Sequence, residues 1–338
     1  MNNNFKNNPN LKYRCDIVGD SSANFQIFEV FISYKDHKEY LASPNINNFN
    51  IDIYTLFDNK KILSLVGHEN EINSIKYFIN NKDHKEYLVS VEEKEIIIVW
   101  DITHNYNLKY KINNGCQGKI SCCVLIFPHN LMNDFIAECT TLFEKNNTRL
   151  YSLDNGELIK EFNNSEKYPI YDLISWYNKE NNEYYIIQIG LMAILVCNLL
   201  LDDEIYFEFK ITDRNIFHKG FLYENDENDY LVSLSIYGQI IILDLYNLTI
   251  VKKLDILREN TDLCGALKNF ILWNNKYIIL NFINIPFYYI YDLEEDKFIS
   301  KIAISSNCQA YIKRIYLPTF RESLLIRDKR NIIKLWSI

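Results

Sequence analysis

Short runs of aliphatic and aromatic residues alternate with polar turns along nearly the whole chain. One clear series lies at Glu71–Phe78, Glu86–Val91, Ile96–Trp100 and Asn107–Ile112, separated by NNKD, EEK and THNY. Short apolar runs rich in Tyr, Phe and Ile, bounded by Asn and Asp turns, are typical of β-strands. The pattern predicts an all-β protein in which this series is one four-stranded unit.

The heptapeptide KDHKEYL occurs at Lys35–Leu41 and again at Lys82–Leu88, 47 residues apart. Two longer registers share this spacing of about 47 residues, which indicates a repeat protein. One strand signal is a polar residue followed by an aromatic residue and aliphatics; its second position falls at Tyr40, Tyr87, Phe135, Tyr184, Tyr230, Tyr277 and Ser323. A second strand ends near Tyr54, Trp100, Tyr151, Cys197, Leu243, Tyr291 and Trp336. Seven units are predicted, so KDHKEYL is interpreted as a shared loop-to-strand junction; the alternative is a duplicated active site.

The second unit carries Gly67-His68 near its start and Trp100-Asp101 near its end. This GH…WD pair resembles the WD-repeat β-propellers. The resemblance implies a seven-bladed propeller of four-stranded antiparallel blades, with Trp336 as a further repeat position. It also implies a buried His–Ser–Asp–Trp network. His68, Ser90 and Trp100 match it, but EEKE (Glu92–Glu95) stands where the Asp belongs, so the acid is expected to be missing or displaced.

The two ends of the chain predict how the ring closes. The last unit stops after its third strand, and the N-terminus has a spare strand, Asn10–Val18, whose NLKY recurs at Asn107–Tyr110. Because open strand edges invite mispairing, residues 10–20 are expected to latch the last blade. Residues 1–9 are expected to be a disordered tail, and 10–338 a single propeller. The predicted blades are about 21–66, 67–114, 115–164, 165–212, 213–256, 257–304 and 305–338.

The net charge limits the classes of partner that are expected, and the cysteines indicate the cellular compartment. The formal charge is −8, from 36 basic and 44 acidic residues, without a strong basic run, so no nucleic-acid partner is expected. The N-terminus lacks an apolar signal segment. The 8 Cys form no CxxC pair and several lie in apolar runs, which favours a reduced intracellular compartment, the cytoplasm or the nucleus.

The uncharged segment Tyr184–Leu201 is 18 residues long, enough to suggest a membrane span. Gln188, Gly190 and Asn198 interrupt it, and the repeat divides it into two strands around Gly190. No membrane span is therefore expected.

Catalytic constellations are not visible in the sequence. There is no GxGxxG, P-loop, GxSxG, HxxxH or HExxH motif, so no catalytic residue, metal or cofactor is expected. His37 and His84 occupy equivalent repeat positions but lack a third ligand. The acidic run Tyr223–Tyr230 (YENDENDY) is interpreted as a solvated loop rather than a calcium site.

The resemblance implies a non-catalytic scaffold that presents loops to protein or peptide partners, as a subunit of a larger complex. In the family geometry, one face carries the turns between second and third strands and the connections between blades. The candidate partner-binding residues on that face are Phe49, Glu69, Asn70, Glu71, Tyr237, Arg327, Lys329 and Arg330. A basic partner segment is the expectation for the opposite face, which carries the KDHKEY and YENDENDY loops. The alternative is a small-ligand-binding or enzymatic propeller that uses its central channel.

Overall fold

The computed structural model describes the backbone of most of the chain. The described residues are 12–18, 27–56, 58, 60–80, 84–92, 96–103, 106–113, 119–126, 134–141, 147–162, 169–191, 193–201, 205–210, 216–224, 228–256, 267–273, 276–282, 285, 287–295, 297–303, 312–317, 321–327 and 332–337. Of these, side chains are not described at 12–18, 119–125, 140–141, 205, 224, 267–269, 302–303, 312–317, 321–327 and 332–337.

The described strands form seven four-stranded antiparallel sheets, each a simple meander except where β1 joins the last one. The first three sheets are β2 (Glu29–Ile32), β3 (Glu39–Pro44), β4 (Ile51–Thr55), β5 (Lys61–Leu65); β6 (Ile72–Ile79), β7 (Glu86–Glu92), β8 (Ile96–Asp101), β9 (Asn107–Asn113); and β10 (Lys119–Ile126), β11 (Phe135–Thr141), β12 (Asn147–Ser152), β13 (Leu158–Phe162). The next three are β14 (Ile170–Asn178), β15 (Glu183–Gly190), β16 (Ala193–Asn198), β17 (Ile205–Lys210); β18 (Phe217–Glu224), β19 (Asp229–Ser235), β20 (Gln239–Asp244), β21 (Thr249–Asp255); and β22 (Leu267–Trp273), β23 (Tyr277–Phe282), β24 (Phe287–Asp292), β25 (Lys297–Ala303). The last sheet contains β26 (Ile312–Leu317), β27 (Arg321–Arg327), β28 (Ile332–Ser337) and β1 (Lys12–Val18).

The N-terminal strand β1 lies beside the third strand of the last sheet. It pairs antiparallel with β28, with Lys12 opposite Ser337 and Ile17 opposite Ile333. This pairing gives the last sheet its fourth strand. The strand begins at Lys12, and the predicted first residue, Asn10, lies outside the described residues.

The hydrophobic core lies between consecutive sheets. The first strands of neighbouring sheets contact one another in chain order, from β2 and β6 through to β22 and β26. Phe31 and Ile53 of the first sheet pack with Leu88 and Trp100 of the second. Because both faces of the middle strands are covered, these strands are apolar at nearly every position rather than at alternate ones.

That two-sided burial explains the long uncharged segment Tyr184–Leu201. It contains most of β15 and all of β16, and both strands are almost wholly buried. The prediction of two strands around Gly190 is confirmed, since this residue ends β15. In the described part of the chain, no helix is long and apolar enough to cross a membrane.

In the fourth sheet, the structure places the aromatic repeat position one residue later than the sequence predicted. In each of five sheets, the amide following the third strand donates to the carbonyl of the polar residue that leads the second strand: Glu39, Glu86, Asp134, Asp229 and Lys276. In the fourth sheet Leu199 N donates to Tyr184 O, 2.8 Å away. Tyr185, not Tyr184, is therefore equivalent to Tyr87. Two adjacent tyrosines fit the sequence pattern equally well, and the hydrogen bond from Leu199 decides between them. Tyr185 packs on Trp176 with ring centroids 5.1 Å apart, as Tyr87 packs on Phe78.

The outer strands carry a recurrent β-bulge that the sequence did not predict. In six sheets the register between the third and outer strands shifts by one residue near the start of the outer strand. The extra residues are Ile62, Lys109, Ile159, Tyr206, Val251 and Ile299. Bulges increase the local twist of an edge strand and make it a poor template for pairing with another chain.

Candidate functional site

A buried hydrogen-bond chain underlies the segment between β5 and β6. Trp100 Nε1 donates to Ser90 Oγ at 2.7 Å, and Ser90 Oγ lies 2.6 Å from His68 Nε2. His68 Nδ1 lies 2.9 Å from Glu92 Oε2, and neither side chain is exposed. All these hydrogen bonds can form at once if the Ser90 hydroxyl donates to His68 Nε2 and the imidazole carries its proton on Nδ1, facing Glu92. This series of hydrogen bonds runs from the outer part of the sheet, at Trp100, to the loop before β6, at His68.

Glu92 supplies the acid that the sequence left missing or displaced. It is the last residue of β7 and the first of the EEKE run. Its carboxylate also accepts from the backbone amide of Glu69 at 3.2 Å and from Asn70 Nδ2 at 3.1 Å. The extra methylene of Glu lets a residue still in the strand reach the His. The acid is therefore displaced from the turn to the end of the strand.

Gly67 makes room for the network. A Cβ at this position would lie 2.9 Å from Cη2 of Trp100, closer than side-chain atoms normally approach. The Gly67 carbonyl also accepts a hydrogen bond from Lys111 Nζ at 2.8 Å. Asp101, the other half of the WD pair, turns outward, where its carboxylate accepts from the amide of Thr103 at 3.0 Å. Gly67 is thus required by the packing of the Trp ring.

The protonation states of the network follow from burial and hydrogen bonding. Burial lowers the pKa of His68 and outweighs the opposing effect of Glu92. For Glu92 burial alone would raise the pKa, but hydrogen bonds from His68, Glu69 N and Asn70 outweigh it and hold the pKa below its usual range. At neutral pH the pair is therefore a carboxylate and a neutral imidazole.

This assignment predicts the pH dependence of stability. Both pKa values are lower in the folded state, so the unfolded chain binds more protons and stability falls as the pH falls. The His68 contribution is complete above about pH 6.5 and declines below it, whereas Glu92 begins to contribute to the loss below about pH 4.3. We expect urea unfolding between pH 7 and pH 5 to show a smaller loss of stability in His68→Phe than in wild type. An equal slope would contradict the assignment. His37→Phe, at an exposed turn, serves as the control.

Two loops meet at the end of the sheets that holds this network, which we call the upper face. The turn Asn45–Asn50 joins β3 to β4, and residues 66–71 lead from β5 to β6. They are adjacent because Ile51 pairs with Leu65. Four of the predicted partner-binding residues lie on these two loops: Phe49, Glu69, Asn70 and Glu71.

These loops are held from below and exposed above. Asn45 Nδ2 donates to the buried carboxylate of Asp52 at 3.0 Å. Phe49 N donates to Asn45 O at 2.9 Å, with a left-handed φ of 57° at Phe49. Above this frame the exposed side chains are Ile46, Asn47, Asn48, Val66, Glu69 and Glu71. The result is a surface of acidic, apolar and amide side chains on a hydrogen-bonded base.

The remaining predicted partner-binding residues are not brought to these two loops. Tyr237 lies in the turn between β19 and β20 of the fifth sheet, with 51% of its surface exposed. Arg327 ends β27, but its side chain is not described. Lys329 and Arg330 lie outside the described residues, as does much of the YENDENDY loop. Trp336 lies in β28, again without a described side chain.

The described residues of the two KDHKEYL copies lie at tight turns at the opposite, lower end of the sheets. His37 N donates to Ser33 O, and His84 N to Asn80 O, each at 2.9 Å. Both histidines have left-handed φ angles, 56° and 53°. Of the six described non-glycine residues with positive φ, only Asn182 is an Asn, although Asn tolerates this conformation best. Turn closure by the backbone outweighs the intrinsic preference of the side chain.

The acidic residue that leads the second strand ties its sheet to the preceding one. Glu86 accepts from Tyr34 N at 2.8 Å, from Ser33 Oγ at 3.2 Å and from Tyr77 at 2.9 Å. The two first-named partners belong to the first sheet's turn. The polar residue at this point of the repeat was recognised in the sequence only as the start of a strand.

The fifth sheet repeats the arrangement with different residues. Asp229 accepts from Trp176 Nε1 at 3.0 Å and from the hydroxyl of Tyr246 at 2.9 Å, and Lys179 Nζ lies 3.6 Å from it. Trp176 and Lys179 belong to the fourth sheet and the turn that follows β14. The recurrent acid is therefore a structural clamp between sheets.

Asp172, on the inner strand β14, is the carboxylate to consider for the alternative function in a central channel. Burial raises the pKa of Asp172 on β14, while Lys219 and Lys76 oppose the shift. Its oxygens accept from Gly220 N at 3.0 Å and Leu173 N at 3.1 Å. This acid thus joins the fourth and fifth sheets. Among the described residues, no group of three or more His, Cys, Asp or Glu side chains is placed to hold a metal ion.

Comparison with known proteins identifies the fold. No protein-family model and no curated protein sequence matches the chain. The β-propeller domain of Cps50 (Swd1) from Myceliophteria thermophila is similar, with a TM-score of 0.70 and 14% identity over 98% of this chain and 100% of that one. Raptor from Chaetomium thermophilum has a TM-score of 0.72 and 13% identity over 97% of this chain, which spans only 29% of Raptor. The chain therefore has a β-propeller fold of the WD-repeat type.

Proposed function

We propose that this protein is a non-catalytic, intracellular interaction scaffold: a closed seven-bladed propeller that presents its upper face to a protein or peptide partner within a larger complex. The observation that carries the proposal is the pairing of exposed loops with a hydrogen-bonded base. Glu92 holds both Glu69 and Asn70, and Asp52 holds the Asn45–Asn50 turn. A surface ordered before binding loses little conformational entropy when a partner docks.

The charge and exposure of the side chains on this surface indicate which kind of partner would bind. Glu69 and Glu71 are exposed and acidic, and Ile46 and Val66 have 54% and 69% of their surfaces exposed. We propose that Phe49 and Asn70 complete this contact, with Tyr237, Arg327, Lys329 and Arg330 extending it around the same face. Acidic loops steer basic segments, and the apolar side chains gain from desolvation.

The test is affinity purification with mass spectrometry from the native cell. We expect Glu69→Lys/Glu71→Lys to lose a stable partner set that wild type retains, whereas Glu294→Lys/Glu295→Lys, an equal charge reversal at a lower turn, retains it. Arg327→Glu/Arg330→Glu reports whether the contact extends to the last sheet. Partners unaffected by either upper-face variant would contradict the location, and no stable partner in any preparation would contradict the scaffold.

A further inference from the structure

Two equivalent turns lie side by side at the lower end of the first and second sheets. In the first turn Ser33 N donates to Lys38 O at 3.0 Å, and in the second Asn80 N donates to Lys85 O at 2.9 Å. Because the backbone closes both turns in the same way, equivalent side chains leave the two turns at equivalent places. We call residues 33–38 together with 80, 84 and 85 the paired turns.

Tyr34 brings the side chains of the paired turns together. Its ring stacks on the ring of His84, with centroids 6.1 Å apart and an interplanar angle of 16°. The ring of His37 meets it edge-on, with centroids 6.5 Å apart. Tyr34 has 54% of its surface exposed, and both histidines are exposed. The paired turns therefore present one aromatic surface that is shared by two sheets and open to solvent.

The acids in and beside the paired turns are engaged in hydrogen bonds within the fold. Glu86 is buried, and its carboxylate accepts from three donors. Asp36 is exposed, but Oδ2 accepts from the hydroxyl of Tyr40 at 2.6 Å and Oδ1 from the amide of Lys38 at 3.1 Å. Glu39, which begins β3, is half-buried. These contacts direct negative charge towards the fold rather than towards solvent.

The lysines of the paired turns, by contrast, are exposed: Lys35, Lys38 and Lys85. Among the described residues of these turns, Asp36 is the one exposed acid. The exposed charge of the paired turns is therefore positive, although the whole chain has a formal charge of −8. Positive side chains around an exposed aromatic ring complement a segment that carries carboxylates and an apolar or aromatic side chain.

The corresponding turn of the fourth sheet, residues 179–182, has the opposite balance. Lys179 Nζ lies 3.6 Å from Asp229 Oδ1 of the fifth sheet, so its charge is paired within the fold. Glu180, the next residue, is exposed. Turn closure at this end of the sheets therefore needs no exposed lysine, and the excess of lysines on the paired turns is not explained by the fold.

We propose that the paired turns are a second docking surface, which binds an acidic segment of a partner protein. Carboxylates of the segment contact Lys35, Lys38 and Lys85, and an aromatic side chain of the segment packs on Tyr34. Exposed tyrosines are effective contact residues because they bury a large area at a low cost in conformational entropy. The sequence predicts a basic partner for the lower face; for the paired turns, the hydrogen bonding of their acids favours an acidic one.

Two features separate this surface from other sites. Proteins that grip nucleic acid make about 6–10 phosphate contacts, whereas the paired turns expose three lysines, so an acidic polypeptide is the better match. The paired turns lie at the opposite end of the sheets from the loops around Glu92. Binding here therefore does not depend on the upper-face proposal.

The experiment uses the full chain and a fluorescent synthetic peptide built only of Glu and Tyr, in about 0.15 M salt. We expect saturable binding that Lys35→Glu/Lys38→Glu weakens about tenfold or more, and that Tyr34→Ser also weakens. The matched control is Lys297→Glu/Lys301→Glu, which reverses the charge of two exposed lysines on β25 of the sixth sheet. It changes the net charge by the same amount and should bind the peptide as wild type does. Glu69→Lys/Glu71→Lys, which tests the upper face, should not weaken binding.

Each other outcome overturns the proposal. Equal loss in the two lysine double variants means general attraction between charged molecules rather than a site. Unchanged binding by Lys35→Glu/Lys38→Glu or by Tyr34→Ser excludes the paired turns as the contact. Equal binding of a Lys/Tyr peptide of the same pattern removes the charge complementarity. A single-stranded oligonucleotide that binds more tightly than the peptide, with the same sensitivity to the variants, identifies a nucleic-acid surface instead. Thermal unfolding establishes that each variant is folded; a lysine variant that does not fold is replaced by the single substitution Lys85→Glu.

Discussion

Glu92→Ala is expected to lower the free energy of unfolding by about 3 kcal/mol, because it leaves buried hydrogen-bond donors without their shared acceptor. Three donors converge on this carboxylate: His68 Nδ1, the amide of Glu69 and Asn70 Nδ2. The Glu92 side chain is fully inaccessible to solvent, so water cannot replace it without a local rearrangement. Urea denaturation followed by tryptophan fluorescence measures the loss, with Trp100 as a reporter within the network.

Two variants make this result specific. Glu71→Ala removes an exposed carboxylate from the same loop and should change stability by no more than about 0.5 kcal/mol. Glu92→Asp keeps the charge but shortens the side chain, and should be intermediate because the acid no longer reaches His68 from the end of β7. If Glu92→Ala were as stable as Glu71→Ala, the buried network would not be a stabilising element.

Removing residues 1–20 is expected to destabilise the protein by several kcal/mol and to expose the edge of β28. The seven-residue strand β1 pairs along β28 from Lys12 to Val18. Each ladder hydrogen bond contributes about 0.5–1.5 kcal/mol net, and a freed edge strand promotes aggregation. Thermal unfolding and size-exclusion chromatography should show a lower Tm together with larger species.

The matched truncation removes only residues 1–8, which precede β1, and should leave Tm almost unchanged. A synthetic peptide of residues 10–20, added to the longer truncation, should restore part of the lost stability if strand pairing is the cause. Identical melting of both truncations and the full chain would show that β1 does not close the ring. The proposed closed ring would then have to be abandoned.

The repeat period and the strands could be predicted from the sequence because both depend on local patterns of residues. The second unit shows this: its strands begin within one residue of the predicted positions, at Ile72, Glu86, Ile96 and Asn107. Apolar runs broken by polar turns leave the chain few other ways to bury its surface. The terminal strand was equally readable, since NLKY recurs and the last unit stops after a third strand.

Contacts between sheets were not readable, because they join residues far apart in the chain. Glu86 was recognised as the beginning of a strand, but its role as a clamp depends on Tyr34, which lies 52 positions away. The same holds for Asp229 and Trp176, 53 positions apart. Nothing local distinguishes such an acid from a solvated one.

The sequence by itself therefore determined that this chain is a repeat of four-stranded units, where its strands lie and which strand joins the two ends. Only the tertiary structure decided that Glu92 is the acid of the buried network, that Tyr185 rather than Tyr184 keeps the repeat register, and that Glu86 is buried while Lys85 beside it is exposed. The physical reason is common to all three. Strand formation depends on the periodicity of neighbouring residues, whereas burial and hydrogen bonding depend on which surface the next sheet covers.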